Sequence, residues 1–167
     1  RGNGGGLMDA AIRMVEEFLD RNQLIVYTQG RSQRNSSAFS TRQGDYVNTE
    51  LVVLINQGSA SASEIVSGSL QDYDRAVIMG QRSFGKGLVQ RYRELTYGTQ
   101  LKVTISKYYT PSGRCIQELD YANRKKDGSV PKFSDSGINT FKTANGRTVY
   151  DGGGILPDII IEESKRT

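Results

Sequence analysis

The chain has no histidine, a single cysteine and no long apolar run among its 167 residues, and each shortage removes a class of chemistry. Without histidine there is no imidazole to take the proton of a serine nucleophile, so any such serine must find its base elsewhere. Cys115, standing alone, excludes an internal disulfide and a cysteine-built zinc cluster. With histidine also missing, the usual ligand sets for transition metals are gone. No apolar stretch approaches the roughly 20 residues of a membrane-spanning helix, and no secretion signal opens the chain. It begins at Arg1, directly before a glycine cluster. From this we expect a piece of a longer protein, in which a missing targeting signal proves nothing.

What is present fits one domain with a real core, and not two. Hydrophobic residues make up 36% and glycines number 19, a balance that favours loops and tight turns, hence an α/β or β-rich fold. The net charge of +4 has one basic run, Arg124, Lys125 and Lys126. No aromatic ladder accompanies that run, so it reads as a solvated loop and not as a nucleic-acid groove.

Along the chain, residues 7–20 repeat apolar positions at helical spacing through Leu7, Ala11, Met14, Val15, Phe18 and Leu19. QLIVYT, residues 23–28, reads as a strand. The polar segment from Gln29 to Asn48 has little to bury and reads as a long mobile surface loop. LVVLIN (51–56) and RAVIMG (75–80) are continuous apolar runs, the pattern of strands buried on both faces. The segment between them, EIVSGSLQDY, reads as a helix, so the three form a βαβ unit with a parallel pair. Residues 88–95 and 100–110 flank Tyr97, Gly98 and Thr99 as a hairpin. Residues 112–148 are polar and irregular, with Tyr121, Phe133 and Phe141 expected to pack part of the stretch onto the body. A short strand follows Pro157.

Two loops carry candidate chemistry. GSASASE, residues 58–64, places Ser61 three positions before Glu64 at the mouth of a helix, the spacing of a capping box, and spacing alone favours that role. Ser59 and Ser63 are open to similar accounts. The same geometry serves a nucleophile, because a serine on a sharp strand-to-helix turn exposes its Oγ while the next amide, of Ala62, points at an oxyanion. Ser61 can fill only one of the two roles.

The second loop, SFGKG at 83–87, completes with Gly80 a near-match to a phosphate-binding loop, but Gly87 stands where a Ser or Thr would hold magnesium, and a strand pattern follows instead of a helix. Lys86 is alternatively a base, a role for which its amine must be neutral and which burial favours; an ordinary hairpin-edge lysine in water is the bland alternative. If residues 86–90 are extended, Lys86, Leu88 and Gln90 share a face, and Gln90 can hold the lysine toward Ser61. Asp72 lies eleven residues beyond Ser61 on the helix, about 16 Å away at about 1.5 Å per residue, and takes a structural role.

Through RGNGGG, LVVLINQGSASASEI, SLQDYDRAVIMG, SFGKGLVQ, KYYTPSGRCIQ and DGGGILPDI, the chain resembles the carboxy-terminal processing (tail-specific) serine peptidases over nearly its whole length. The resemblance implies a crotonase/ClpP-like α/β peptidase core with an added hairpin, formed by residues 1–167 as a single catalytic domain, with an upstream strand and a PDZ domain of the family not included. It implies Ser61 as nucleophile, Lys86 as general base and Gln90 as the residue orienting it, which removes the need for histidine. It implies an oxyanion hole from Ala62 and a glycine of the N-terminal cluster, Gly5 being the first choice and Gly6 the alternative. It implies no cofactor or metal, protein or peptide substrates engaged near their C-termini, no nucleic acid, and work outside the cytoplasm, in a bacterial periplasm or cell envelope, with membrane anchoring allowed in the full-length protein. A nucleotide-binding module and a non-catalytic scaffold are the competing readings.

Overall fold

The computed structural model describes residues 1–31, 33–133 and 138–162. The first element is helix α1, Met8–Glu16, followed by strands β1, Leu24–Gln29, and β2, Ser36–Phe39. The βαβ unit comes next: β3, Val52–Ile55, helix α2, Ala62–Asp72, and β4, Val77–Gly80, with β3 and β4 parallel. The hairpin is β5, Leu88–Glu94, and β6, Gln100–Tyr109, joined by a single 3-10 turn at Thr96–Gly98. Short strands β7, Thr140–Lys142, and β8, Thr148–Tyr150, pair with each other. The last strand, β9, Ile159–Ile160, follows Pro157 and joins β4 in parallel. Two sheets result besides the β7–β8 pair: an antiparallel one in the order β2-β1-β6-β5, and a parallel one in the order β3-β4-β9. No helix among the described residues is long and apolar enough to cross a membrane.

Helix α2 is the centre of the molecule. Ile65 and Leu70 on it meet Ile25 and Val26 of β1, Ile55 of β3, Ile78 of β4 and Ile155 near the C-terminal end. Burying one such side chain stabilises the fold by about 1.5–3 kcal/mol. The other faces of α2 carry small residues, and the helix is tightly enclosed: a Cβ on Gly68 would stand 2.9 Å from both Ile155 Cδ1 and Thr110 Cγ2. Its buried hydroxyls are satisfied, Ser69 by the Ile25 carbonyl at 2.6 Å and Ser67 by the Ser63 carbonyl at 3.1 Å. The helix ends where Asp74 takes a left-handed φ of 53°, a conformation Asp tolerates better than most residues.

Two expectations from the sequence need correction. The segment 29–48 is not wholly a loop: β2 pairs antiparallel with β1, and the Ser40 hydroxyl reaches back to the Asp20 carbonyl. Backbone pairing holds β2, whose side chains are almost all exposed, so no apolar pattern announces it. Nor are the two apolar strands buried on both faces. Val53, Ile55 and Ile78 turn to α2, but Val52, Leu54 and Val77 are 54%, 52% and 42% exposed. Parallel register aligns Val52 with Val77 and Leu54 with Met79, so these form one apolar row, extended by Ile159 opposite Met79. Among the described residues, nothing covers that face.

In the segment 112–148, of which residues 134–137 lie outside the described ones, Phe141 is half-buried against Gly113 and Phe133 is half-buried as well. Tyr121 is 48% exposed and carries the Arg124 guanidinium over its ring instead of packing inward.

Candidate active site

The turn between β3 and α2 is built on backbone strain. Ser61 has φ 59° and ψ −119°, a region non-glycine residues enter only under compulsion, at a cost on the order of 1–3 kcal/mol. Hydrogen bonds supply that compulsion. The Ser59 amide donates to the Asn56 carbonyl at 2.8 Å and the Ala60 amide to the Asn3 carbonyl at 2.9 Å. Gly5, at φ +89°, lies so close that a Cβ on it would stand 2.6 Å from the Ala60 oxygen and 2.9 Å from Ser61 Cβ. Ser61 and Glu64 keep the capping-box arrangement, with the Ser61 N–H on Glu64 Oε2 at 2.8 Å and the Glu64 N–H on the Ser61 carbonyl at 2.8 Å. This is the cap that the spacing predicted, and beyond it the Ser61 hydroxyl makes no hydrogen bond among the described residues.

The loop of Lys86 is fixed as firmly. Its carrier residues are buried on both sides, Gly85 and Gly87. The Gly87 N–H donates to Gln117 Oε1 at 2.8 Å, the Gly87 carbonyl accepts from the Tyr108 N–H at 3.0 Å, and the Gly85 carbonyl accepts from the Glu118 N–H at 3.0 Å. Glycine is required at 85, where φ is +86° and a Cβ would meet Glu118 Cβ at 2.6 Å. The amides that a phosphate-binding loop would offer are already taken: those of Gly85 and Lys86 by Glu64, and that of Gly87 by Gln117. No helix follows, because β5 does. The nucleotide-binding reading fails on both counts.

Ser61, Lys86 and Gln90 line one cleft of about 260 Å³, with Gly6, Ala62 and Tyr108 in its walls. Lys86 is half-buried, and its amine has no hydrogen bond or ion pair among the described residues; none joins it to Ser61. The Gln90 amide donates to Thr104 Oγ1 at 3.4 Å. Simple alternation does not bring these side chains together: β5 begins at Leu88, and its register shifts between Val89 and Gln90. A bulge of this kind re-aims side chains at a strand end. Gly5 directs its N–H to Asn3 Oδ1 at 2.9 Å, whereas Gly6 belongs to the cleft wall.

Two residues that the sequence reading left without a role in the site turn out to be central. Glu64, fully buried, accepts four hydrogen bonds: from the Ser83 hydroxyl at 2.5 Å and the Gly85 N–H at 2.7 Å on Oε1, and from the Ser61 and Lys86 N–H groups at 2.8 and 2.9 Å on Oε2. Burial raises its pKa, an effect these four donors oppose. Four donors on two oxygens are the complement of an ionised carboxylate, and its position in the first turn of α2 adds the favourable end of the helix dipole. Tyr108, 2% exposed, sets its hydroxyl at the carbonyls of both Lys86 and Ser61, the latter at 3.2 Å. Burial first, and then the Glu64 charge, hold its pKa well above the usual phenol range, so it stays a donor. The signal for Glu64 was visible as a capping-box partner; Tyr108 lay inside KYYTPSGRCIQ without a stated role.

Asp72, expected to be structural, is at the far end of α2 from Ser61. It forms a buried ion pair with Arg114 at 2.7 Å, with both side chains 1% exposed, and accepts the Ser112 N–H at 2.9 Å.

The sequence model of the family described as Peptidase family S41 matches residues 1–122. The chain is 49% identical over 118 residues to a carboxy-terminal-processing protease of Bartonella bacilliformis, covering 70% of this chain and 27% of that protein. It is 44% identical over 119 residues to a carboxyl-terminal-processing protease of Synechocystis sp., covering 71% and 27%. It thus spans just over a quarter of the length of these curated relatives. Among solved structures, the photosystem II D1 C-terminal processing protease superposes with a TM-score of 0.68 at 28% identity, over 97% of this chain and 33% of that one.

Proposed function

The chain belongs to peptidase family S41, and from that premise we propose that it is the core of a serine endopeptidase that works through a Ser61–Lys86 dyad and an acyl-enzyme, trimming or degrading proteins near their C-termini. The observation that carries the reading is the meeting of a strained Ser61 with Lys86 and Gln90 in one cleft. Neutral Lys86 takes the Ser61 proton as Oγ attacks the scissile carbonyl; the resulting ammonium returns it to the leaving amine, and water then cleaves the ester. Contacts of this kind often close only around substrate, which is compatible with the separate Ser61 and Lys86 side chains here. Gln90, released from Thr104, orients the amine without adding charge.

The oxyanion is met by the Ala62 N–H at the start of α2 and by a second glycine amide, on the order of 3 kcal/mol each. Gly5 packs on Ser61 but its N–H is engaged by Asn3, while Gly6 faces the cleft; this favours Gly6 over the first choice from sequence. Among the described residues strand β5 pairs only with β6, which leaves its other edge to an extended substrate beside Gln90, adding main-chain hydrogen bonds. For location we carry the extracytoplasmic reading.

The test uses the full-length protein. Ser61→Ala and Lys86→Ala should each abolish peptide turnover with unfolding transitions near that of the parent, and a fluorophosphonate should label Ser61. Unchanged turnover in Lys86→Ala removes the lysine from the mechanism, and absence of labelling in the parent favours a non-catalytic module.

A further inference from the structure

The backbones of the two proposed catalytic residues have two hydrogen-bond partners in common. The N–H groups of Ser61 and Lys86 converge on the same oxygen of Glu64, at 2.8 and 2.9 Å. Their two carbonyls converge on the same hydroxyl, that of Tyr108. Ser61 stands at the mouth of α2 and Lys86 in the loop before β5, 25 positions on; their own side chains do not join these segments. Glu64 belongs to α2 and Tyr108 to β6, both almost fully enclosed. We infer that Glu64 and Tyr108 form a clamp that fixes the distance and orientation between the Ser61 and Lys86 backbones, acting as positioning residues for the dyad. This inference rests on the peptidase reading above.

The chemistry of the two side chains suits the task. The ionised carboxylate offers lone pairs on both oxygens, and every one of its donors belongs to residue 61 or to the segment 83–86. The phenol supplies one proton to two carbonyls, shared between them, and its hydroxyl is buried away from competing water. Any slide of the lysine loop relative to α2 breaks the N–H contact to Glu64 and the carbonyl contact to Tyr108 together. The loop is thereby held in place by groups whose hydrogen bonds go to the main chain of Ser61 and Lys86 and not to their side chains, and an error of about 1 Å in such a dyad costs on the order of 100-fold in rate.

A glutamine at 64 cannot replace the carboxylate. In either orientation its amide nitrogen faces a backbone N–H of the lysine loop, that of Gly85 or that of Lys86. A phenylalanine at 108 keeps the ring and loses both carbonyl contacts. In the full-length enzyme, with active sites titrated to completion by a fluorophosphonate, Glu64→Gln should lower kcat per site by about 100-fold and Tyr108→Phe by about tenfold, each with KM within about twofold. The double variant should fall little further than Glu64→Gln, as expected of a unit. A purely structural role would reduce the number of titratable sites and leave kcat per site at the parent value, and that result in both variants overturns the clamp. If Glu64→Gln does not fold, Tyr108→Phe decides alone. Parent-like turnover in Ser61→Ala would instead overturn the peptidase reading, and the clamp with it.

Discussion

Helix α2 buries two carboxylates, one at each end, and neutralises them by opposite means. Asp72 at the C-terminal end is met by a cation, the Arg114 guanidinium, with Gln71 Oε1 on the same nitrogen at 2.7 Å. Glu64 at the N-terminal end meets no cation among the described residues; its partners are dipoles, three backbone N–H groups and one hydroxyl. An ion pair depends on one long side chain, and deleting that partner leaves a bare buried charge. A shell of backbone dipoles cannot be deleted by mutation, and it fixes main-chain positions instead of side chains. The first arrangement ties the end of a helix to the turn at residues 110–114; the second ties together two segments of a site.

The largest effect should come from breaking the pair that has a removable partner. Arg114→Ala should destabilise the fold by about 3–5 kcal/mol, read from the denaturant midpoint, with turnover per titrated site unchanged. Loss of turnover per site without loss of stability would place Asp72 in the same class as Glu64 and erase the contrast.

A smaller effect follows from burial of Glu64. Its pKa in the folded chain is raised, with desolvation as the main cause and the donors from Ser83, Lys86, Gly85 and Ser61 opposing it. The folded state therefore holds that proton more tightly than the unfolded state does. The stability connected with this group is complete below the ordinary carboxylate value of 4.5 and is lost as pH rises through the raised one. Unfolding free energies of the parent and Glu64→Gln, measured from pH 4 upward, should show the parent losing ground to the variant over that window and a constant difference above it. A parent that gains ground would mean that the donors outweigh burial.

The smallest effect belongs to a cation whose own side chain reaches solvent. Arg147 is 44% exposed and bridges Asp74 and Asp158, both at 2.5 Å. Arg147→Ala should cost about 1 kcal/mol or less, and less still at high salt. A loss as large as that of Arg114→Ala would show that exposure does not separate the two pairs.

The βαβ unit, the hairpin and the last strand were legible because apolar runs, turn residues and their spacing are local signals. Ser61, Lys86 and Gln90 were legible as a set, and the structure gathers them in one cleft. Strand β2 was not, since its contribution is backbone pairing beneath exposed side chains. Glu64 could be seen only as a cap, because three of its four donors come from residues 83–86, some twenty positions away in sequence. The engagement of the Gly5 amide by Asn3 is a two-residue contact, yet in a cluster of glycines nothing in the sequence says which amide turns inward. Apolar runs at 51–56 and 75–80 revealed strands but not their surroundings: composition fixes what a face would prefer to meet, not what stands there.

The row of Val52, Leu54, Val77 and Ile159, uncovered among the described residues, bears on how this polypeptide behaves in solution. Neighbouring wet apolar side chains attract their counterparts on other molecules by about 25 cal/mol for each Å² they cover. At neutral pH a net charge of +4 opposes that attraction at long range and weakens as salt shortens the Debye length. Alkaline conditions, where lysine and tyrosine give up protons, carry the charge toward zero and leave the row unopposed. Dilute, low-salt, mildly acidic solutions are thus the ones in which this polypeptide stays dispersed.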